Sequence, residues 1–284
     1  MVIEVRNPSK REKTGGRGQR LAVVQRTERL TPHMVRVVFG GDDLTDFAVE
    51  HADSYVKLIF PVEGVVYGEP FDVAKIREDH PRTEWPVQRT YTVRSVVDGE
   101  VTIDFVVHGD EGLAGPWAAN AQPGDELWIM GPGGAYTPSP DAPWHLLSGD
   151  ASALPAIAAC LERIPAGAVA VAVVEVHGPA EEVPLSSPGD LRLHWVHREN
   201  PDPEALLTFL RSLALPTGAP HSFLHGEADT VRAVRRWART DLGVTRELLS
   251  ASGYWRRGRT EEGWRSEKRD WAAAAESDDA TAGV

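Results

Sequence analysis

The sequence predicts two unlike halves, an antiparallel β structure followed by an α/β domain built on a parallel sheet. Short runs of alternating apolar residues fill the first half, separated by turn residues and without long helices between them. In the second half, apolar strands alternate with amphipathic helices, which is the pattern of crossover connections between parallel strands. A length of 284 residues, 42% of them hydrophobic, is sufficient for two domains, which we place at residues 19–142 and 143–258.

The first half is predicted to contain six strands, which favour an antiparallel barrel or sandwich. They are expected at residues 21–26, 34–39, 55–60, 89–94, 101–107 and 126–130. Asp98-Gly99 is a hairpin signal, which predicts that the fourth of these strands pairs with the fifth. Residues 61–86 are polar and contain prolines, and we interpret them as a long excursion at the rim.

The second half is predicted to contain four strands and three helices. The strands are expected at residues 144–147, 168–176, 191–197 and 221–225, and the helices at residues 152–163, 203–213 and 227–241. Sheets of this kind bind ligands beyond the carboxyl ends of their strands. The glycine fingerprint G-x-G-x-x-G is missing from the first strand–helix junction, which counts against an ordinary Rossmann dehydrogenase.

Both ends of the chain differ from the body. Residues 1–18 are basic and contain glycines, which predicts a flexible lead-in. In the tail, residues 259–284, Trp264 and Trp271 are seven positions apart, as on one face of a helix. We favour a C-terminal helix whose tryptophans, with Trp255, pack back on the body over a role in ligand binding. Residues 276–284 are predicted to be disordered.

The composition argues against several functional classes. The formal net charge of −12 does not favour bulk binding to nucleic acid or to anionic lipid. The single cysteine, Cys160, allows no intramolecular disulfide and no cysteine-based cluster, and it lies in an apolar run typical of a buried residue. We expect no metal site, since the ten histidines are scattered. Without a signal peptide or a run of roughly 20 apolar residues, the chain is expected to be a soluble cytoplasmic monomer.

One hexapeptide in the fourth predicted strand has an unusual combination of side chains. It reads R-T-Y-T-V-R from Arg89 to Arg94, and the period of two places residues 89, 91 and 93 on one face and residues 90, 92 and 94 on the other. A cation, a flat aromatic ring and hydroxyls suit a ligand that has a phosphate and a planar ring, such as a flavin nucleotide. An edge strand with mixed faces is the structural alternative, and the hexapeptide alone leaves both open.

A glycine-rich loop follows the fifth predicted strand. Residues 108–118 read H-G-D-E-G-L-A-G-P-W-A and lead into a short helix predicted at residues 116–121. Glycines before a helix expose backbone N–H groups, which suits a phosphate or pyrophosphate. A plain turn is the more common explanation of such a loop taken by itself.

Together, the motifs resemble a known family. They are Lys57-Leu58-Ile59-Phe60-Pro61, Arg89-Thr90-Tyr91-Thr92, Asp104 to His108, Gly115-Pro116-Trp117-Ala118, Gln122-Pro123-Gly124-Asp125, Gly131-Pro132-Gly133-Gly134, Gly149-Asp150 with Leu154-Pro155-Ala156, Gly226-Glu227, and Gly253-Tyr254-Trp255-Arg256-Arg257-Gly258. Their order resembles the ferredoxin-reductase superfamily, and their details resemble the siderophore-interacting proteins, which are flavin-dependent ferric-siderophore reductases. The resemblance covers roughly residues 19–258. It implies an N-terminal antiparallel Greek-key β-barrel that binds FAD, a Rossmann-like α/β domain that binds NADPH or NADH, and a C-terminal helical tail.

The resemblance also implies roles for individual residues. Arg89 would pair with the FAD phosphate, and Tyr91 and Thr92 would be the catalytic residues, beside the flavin ring and near its N5 atom. Further flavin contacts would be Thr90, Val93 and Arg94. The pyrophosphate and adenosine side would be held by His108, Gly112, Ala114, Gly115, Pro116 and Trp117. The nicotinamide nucleotide would be bordered by Asp150, Ser152, Glu175, His177, Gly226 and Glu227.

The substrate implied by the resemblance is a ferric siderophore. Lys57 would attract this anion near the flavin, and Arg94, Arg246 or Arg256 would extend a basic rim. Family members can carry arginine where this chain has Gly133; if that arginine helps to bind substrate, one charge is missing here. Glu175, near the end of the second α/β strand, favours NADH, whereas Arg198, after the next strand, favours NADPH.

The implied reaction passes electrons from NAD(P)H through FAD to the Fe(III) chelate and releases Fe(II). Siderophores strongly prefer Fe(III), a hard cation matched to anionic oxygen donors, so reduction weakens the complex. Two alternatives stay open at this point. One is a general NAD(P)H-flavin oxidoreductase or electron-transfer reductase with another acceptor, and the other is a protein that binds siderophore without reducing it.

Overall fold

A computed structural model describes residues 18–109, 112–198, 202 and 204–281. It confirms an antiparallel sheet followed by a parallel α/β sheet and a C-terminal helix. The predicted lead-in, residues 1–18, lies outside the described residues except for Gly18. Within the described part of the chain, no helix combines the length and the apolar character needed to cross a membrane.

The first sheet has seven strands, all paired antiparallel. They are β1 (Gln19–Thr31), β2 (Met34–Gly40), β3 (Tyr55–Phe60), β4 (Val87–Thr92), β5 (Ser95–Val97), β6 (Glu100–Val106) and β7 (Glu126–Gly133). Their order is β4-β3-β7-β1-β2-β6-β5, so that β4 and β5 form the two edges of a sheet that is barrel-like but not closed. Its interior is a single apolar cluster that includes Phe39, Leu58, Ile103 and Phe105.

The predicted pairing of the hexapeptide strand with the following strand is wrong. Asp98 and Gly99 do form a tight turn, with φ angles of 51° and 79°, but the strand before this turn is the short β5. The hexapeptide strand β4 ends at Thr92 and pairs with β3 instead. The chain therefore crosses from one edge of the sheet to the other within a few residues after Thr92.

Two short helices accompany the first sheet. Helix α1 (Val73–Asp79) lies in the predicted irregular excursion, and the Asp72 carboxylate caps it by accepting from the backbone N–H of Ala74 at 2.8 Å. Its Val73 and Ile76 pack with Ile59 beneath the loop. Helix α2 (Ala114–Asn120) follows the glycine-rich loop, as predicted. The sequence pattern missed α1 because seven residues give too little helical periodicity to recognise.

The second sheet has five parallel strands in the order β10-β9-β8-β11-β12. They are β8 (His145–Asp150), β9 (Val169–Val176), β10 (Asp190–His197), β11 (His221–Glu227) and β12 (Leu249–Trp255), with helices α3 (Leu154–Leu161), α4 (Ala205–Ser212) and α5 (Ala228–Asp241) between them. Strand β12 was not predicted, because its residues L-S-A-S-G-Y-W lack a regular apolar run. Cys160 is buried on α3, as predicted.

Helix α6 (Glu261–Thr281) is the C-terminal helix and packs on the α/β domain. Trp264 and Trp271 are buried, with ring centroids 5.7 Å apart, which confirms packing through these two rings. Trp255 instead lies at the end of β12. The predicted disorder is wrong for residues 276–281, which are helical and held in part by an Arg232–Asp278 ion pair of 2.6 Å. Residues 282–284 lie outside the described residues.

Candidate functional site

Strand β4 directs its alternate side chains as the period of two predicts. Arg89 and Tyr91 lie opposite Leu58 and Val56 of β3 and share the inner face of the sheet. The Tyr91 ring is half-buried, with its centroid 4.4 Å from that of Phe105. Burial raises the pKa of the Tyr91 phenol, and the nearby Glu261 carboxylate adds to this increase, so the hydroxyl is a proton donor at neutral pH.

The buried guanidinium of Arg89 is bound by two carboxylates from the first turn of α6. Its Nε atom lies 2.5 Å from Glu261 Oε2, and its Nη2 atom donates to Glu262 Oε1 at 2.6 Å. The remaining Nη1 donates to the carbonyl oxygen of Gln88 at 3.2 Å. The Arg89 side chain is 9% exposed, so this cation is desolvated, and each of its three nitrogens has an acceptor.

The end of β4 meets the end of β12, so the hexapeptide strand touches the second domain. The side chain of Thr92 contacts Tyr254, whose phenol pKa is raised by burial. Tyr254 in turn packs edge-on against His225 of β11, with ring centroids 5.2 Å apart. The residue predicted to lie near the flavin N5 is therefore beside the carboxyl edge of the parallel sheet.

Three side chains that were predicted to contact FAD, two at the flavin and one on the pyrophosphate and adenosine side, are engaged in other contacts. Val93 is 3% exposed and belongs to the apolar core of the first sheet. The Trp117 ring packs parallel to that of Phe39 at 6.1 Å, as part of the same core. Arg94 forms a bidentate ion pair with Glu162, at 2.5 and 3.0 Å, that joins the two domains. Alternation alone could not separate core contacts from ligand contacts.

The start of α2, after the glycine-rich segment, lies close to β6. Gly112 has a φ of 82°, and a Cβ atom at Gly115, in the first turn of α2, would lie 3.1 Å from the carbonyl oxygen of Val106. The Ala114 side chain is buried, whereas Pro116 is half-buried. The role of this segment as a pyrophosphate site stays a prediction.

His33 brings together two histidines predicted on opposite sides of the cofactor site. Its ring centroid lies 6.4 Å from that of His108 and 6.1 Å from that of His177. The Nδ1 atom of His33 lies 2.5 Å from Glu181 of the second domain. Although burial opposes it, hydrogen bonds from Thr31 and His33 lower the pKa of the Glu181 carboxyl. These contacts hold the two domains together beside the predicted cleft.

Asp150 is a structural centre of the parallel sheet edge. Its Oδ1 accepts from the backbone N and the hydroxyl of Ser152, at 2.8 and 2.5 Å. Its Oδ2 accepts from the backbone N of Glu227 at 2.7 Å and from the indole of Trp255 at 2.9 Å. Asp150 therefore holds Ser152 and the ends of two neighbouring strands, and the contacts of Asp150 and Ser152 with a nicotinamide nucleotide stay a prediction.

Gly226 and Glu227 belong to the same hydrogen-bonded network as Asp150. Gly226 has a φ of 135°, and a Cβ atom there would lie 2.8 Å from the Asp150 carboxylate, which leaves no room for a side chain. Buried Glu227 caps α5 by accepting from the backbone N of Thr230 at 2.9 Å. It also accepts from the backbone N of Arg257 at 3.1 Å. These residues shape the edge rather than offer free polar groups.

Glu175 and Arg198, the two opposing indicators of nucleotide preference, bind each other at 2.8 Å. Burial raises the pKa of the Glu175 carboxyl, and the Arg198 charge opposes this increase. The exposed His177 follows Glu175 after one residue. A ribose hydroxyl or a 2′-phosphate at this end of β9 would meet an acceptor and a cation that are already paired.

Lys57 lies beside an aromatic side chain that sequence reasoning missed. Lys57 is exposed and directly opposite Thr90, while Tyr55 is 38% exposed and directly opposite Thr92. A Cβ atom at Gly133 would lie 2.7 Å from the Tyr55 ring, so this ring fills the space of a side chain at position 133. The signal was present in the sequence, because Tyr55 and Lys57 alternate on one strand face.

Like Arg94, the other two arginines predicted for the basic rim do not extend it as free cations. Arg246 precedes β12, whereas the site lies beyond its carboxyl end, about 20 Å away for a strand of this length. Arg256 does lie at that end, but it pairs with Asp229 at 3.3 Å and Glu267 at 3.1 Å. Among the described residues, Lys57 has neither an ion pair nor a side-chain hydrogen bond.

The donor set at β4 fits a flavin nucleotide. A buried guanidinium already holds two anionic groups, as it would hold phosphate oxygens, and a half-buried aromatic ring stands two residues away. In the described residues, no group of three or more His, Cys, Asp or Glu side chains is arranged to hold a metal ion.

An antiparallel barrel-like sheet whose R-x-Y-T strand ends against the carboxyl edge of a parallel sheet is the architecture implied by the resemblance to the ferredoxin-reductase superfamily. Comparison with known proteins makes the assignment specific. Residues 23–136 match the siderophore-interacting FAD-binding domain, and residues 142–258 match the siderophore-interacting protein domain. The chain belongs to the siderophore-interacting protein family.

Individual relatives extend along most of the chain. It is 33% identical over 260 residues to the ferric vibriobactin reductase ViuB of Vibrio cholerae, covering 88% of this chain and 93% of that protein. It is 30% identical over 236 residues to the NADPH-dependent ferric-chelate reductase of Escherichia coli, covering 82% and 91%. The crystal structure of the siderophore-interacting protein SipS from Aeromonas hydrophila superposes with a TM-score of 0.76 at 30% identity, covering 90% and 98%.

Proposed function

We propose that this protein is a flavin-dependent reductase that passes electrons from NAD(P)H to a cytoplasmic ferric siderophore and releases Fe(II). The observation that carries the proposal is the meeting of β4 with the carboxyl edge of the parallel sheet, where Thr92 contacts Tyr254. A flavin on β4 and a nicotinamide at the sheet edge would lie on opposite sides of this contact. Relatives named as a ferric vibriobactin reductase and a ferric-chelate reductase support this reaction class.

We assign the proposed role of each residue on β4 from the position of its side chain. Arg89 would hold a flavin phosphate, Tyr91 would lie beside the ring with its phenol protonated, and Thr92 would offer a hydroxyl at the domain junction. Bound FAD would supply the conversion of a two-electron donor into two single-electron transfers. The backbone of the loop at Gly112 and Gly115 would contribute N–H donors to the pyrophosphate.

The proposed reductant site is the carboxyl edge formed by β8, β9, β11 and β12. Asp150 and Glu227 fix the ends of three strands, so the edge is preformed. Glu175 and Arg198 would meet the ribose of the nucleotide, with the carboxylate suited to hydroxyls and the guanidinium to a 2′-phosphate. The proposal covers both NADPH and NADH.

The proposed substrate surface comprises Tyr55, Lys57 and Thr90. Lys57 supplies a positive charge to the anionic chelate despite the net charge of −12. Close to the surface, the field of a neighbouring charge outweighs that of the net charge of the protein. The exposed Tyr55 ring supplies an apolar face. This ring occupies the space that a cationic side chain at position 133 would need. One NAD(P)H would reduce two Fe(III) to two Fe(II) and release one proton, and Fe(II) leaves because oxygen donors hold it more weakly.

The test is a combination of absorbance and steady-state kinetics on the full chain. Purified protein should show flavin absorption bands, and NAD(P)H with a ferric siderophore should yield Fe(II), trapped by a ferrous-specific chelator. Flavin bands with activity only toward free flavin or another acceptor would favour a general reductase. A colourless protein that binds siderophore and takes up no added flavin would overturn the proposal in favour of simple binding.

A Lys57→Ala substitution tests the substrate surface. We expect kcat/KM for the ferric siderophore to fall about tenfold, equivalent to about 1.4 kcal/mol, because one unpaired cation beside the site is lost. Lys75→Ala, at an exposed position on α1, is the matched control and should leave kcat/KM unchanged. Equal kinetics for the Lys57 variant and the control would show that the chelate approaches elsewhere.

A further inference from the structure

We infer that the first turn of α6 competes with the flavin phosphate for Arg89, so that Glu261 and Glu262 set the affinity of the flavin site. This inference rests on the proposed function. Each of the three nitrogens of the Arg89 guanidinium has an acceptor, namely the two carboxylates and the carbonyl oxygen of Gln88. A phosphate that binds the Nε and Nη2 side of this buried cation must therefore displace a carboxylate.

The local charges support competition rather than joint binding. Burial raises the pKa of the Glu261 carboxyl although the Arg89 and Arg265 charges oppose it. Although burial opposes it, hydrogen bonds and these two cations lower the pKa of the Glu262 carboxyl. Arg265 also donates to the carbonyl oxygen of Gln88 at 3.0 Å. Two cations and two carboxylates therefore make the site neutral. A pyrophosphate would add two negative charges beside two carboxylates, and like charges in a partly buried site repel strongly.

The remainder of α6 is anchored independently of these glutamates. Trp264 is 2% exposed and packs so closely on β12 that a Cβ atom at Gly253 would lie 2.8 Å from its ring. Trp271 and Ala275 continue the buried face toward the end of the helix. The two glutamates thus precede the docked part of the helix, which can stay in place when they release Arg89.

The first turn also has the means to move. It lies between Gly258, which has a φ of 73°, and Gly263, and glycine backbones reorient at low cost. The side chains of Glu261 and Glu262 are 41% and 65% exposed, so a released carboxylate finds water nearby. In contrast, the Arg89 side chain is confined by the sheet, so the glutamates rather than the arginine are the mobile partners.

A double Glu261→Gln/Glu262→Gln substitution tests the competition directly. Glutamine keeps the size and polarity of each side chain and removes only its charge. Protein stripped of flavin is titrated with FAD, and the dissociation constant is read from the quenching of flavin fluorescence at 50 and 500 mM salt. We expect FAD to bind the variant about tenfold more tightly at low salt, with a smaller gain at high salt because charges are screened.

Glu276→Gln is the matched control, since it makes the same change on the exposed far part of the same helix. It should leave the dissociation constant for FAD unchanged, and urea unfolding of all variants should verify that α6 stays docked. An unchanged or weaker affinity in the double variant would overturn the inference, as would a gain shared equally by Glu276→Gln. If the wild-type protein takes up no FAD at all, the proposed function fails as well. If the wild type binds FAD and reduces normally but the double variant gains no affinity, only the inference fails.

Discussion

The two predicted cofactor regions differ in the partners that bind their buried charged side chains. On β4, the Arg89 cation is bound by side chains of another element, 172 and 173 positions later in the chain, and those carboxylates are partly exposed. At the carboxyl edge of the parallel sheet, the buried Asp150 is bound by Ser152, just after its own strand, and by the backbone N–H of Glu227 and the indole of Trp255 on neighbouring strands. The first arrangement can exchange its partners for a ligand, whereas the second is fixed.

Because of this difference, substitutions in the two regions should affect different properties, namely ligand affinity at β4 and folding stability at the sheet edge. Changes at β4 should alter ligand affinity more than folding, because water or a ligand can replace a partly exposed carboxylate. Changes at the sheet edge should alter folding first, because each buried donor left without an acceptor costs about 1–3 kcal/mol. The predictions below test this contrast, beginning with the largest expected effect.

Acid should destabilise the parallel sheet through its buried histidines. Burial lowers the pKa of His145 to about 4, with a further decrease from nearby His221, and lowers that of His225 to about 3. The unfolded chain takes up these protons near pH 6.5 and the folded chain does not, so stability present above pH 6.5 is lost as the pH falls toward 4. Between pH 7.5 and 5 we expect a loss of roughly 2 kcal/mol per histidine, measured by urea unfolding.

A His145→Leu substitution isolates one of these contributions. Both ring nitrogens of His145 lack a hydrogen-bond partner, so an apolar replacement leaves no donor unpaired. The variant should lose roughly 2 kcal/mol less than the wild type between pH 7.5 and 5. His194→Leu, at a half-buried position on β10, is the control and should keep the wild-type loss. Identical pH dependence in the wild type and the His145 variant would show that other groups govern acid unfolding.

An Asp150→Ala substitution should disrupt the fixed edge. It removes the acceptor of four hydrogen bonds, two of which, from Glu227 and Trp255, join β8 to β11 and β12, and it leaves the buried N–H of Glu227 unpaired. We expect the free energy of unfolding to fall by about 3 kcal/mol, measured in urea. Ser152→Ala, which removes one of these donors, should cost about 1 kcal/mol. Similar small losses for both variants would mean that the network contributes little to folding.

The contrast between the regions also explains what the sequence could predict. Strand β3 was predicted at residues 55–60 and is observed at Tyr55–Phe60, because alternating apolar residues end at a proline. The hexapeptide was recognised because its chemistry lies within six residues. The role of Asp150 was not, because two of its donors come from Glu227 and Trp255, and the latter belongs to a strand without an apolar pattern.

The partners of Arg89 could not be predicted from the sequence either, because they are also distant from Arg89 in the chain. Helix α6 is highly charged, and its spacing of tryptophans indicates which face is buried but not which surface it docks on. The contact between Glu262 and Arg89 joins residues 173 positions apart and depends on the packing of both domains. Pairing of Tyr55 with Gly133 across two strands likewise depends on a register that local patterns do not specify.

The smallest predicted effect concerns the aromatic ring of the exchangeable region. A Tyr91→Leu substitution keeps an apolar side chain against Phe105 but removes the ring and its hydroxyl. The dissociation constant for FAD should rise about tenfold, because an aromatic contact contributes roughly 0.5–1.5 kcal/mol beyond the burial of its area. Fluorescence titration of the flavin-free protein provides the measurement, and the free energy of unfolding should change less than in Asp150→Ala.

Tyr67→Leu provides the control in the loop between β3 and α1. Tyr67 packs edge-on against Phe71 in the apolar cluster that includes Val73 and Ile76, and its loss should leave the affinity for FAD unchanged. If both tyrosine variants bound FAD as the wild type does, Tyr91 would be a core residue and not part of the flavin site. If Tyr91→Leu instead destabilised the fold as strongly as Asp150→Ala, β4 would be as fixed as the sheet edge, and the contrast between exchangeable and fixed regions would fail.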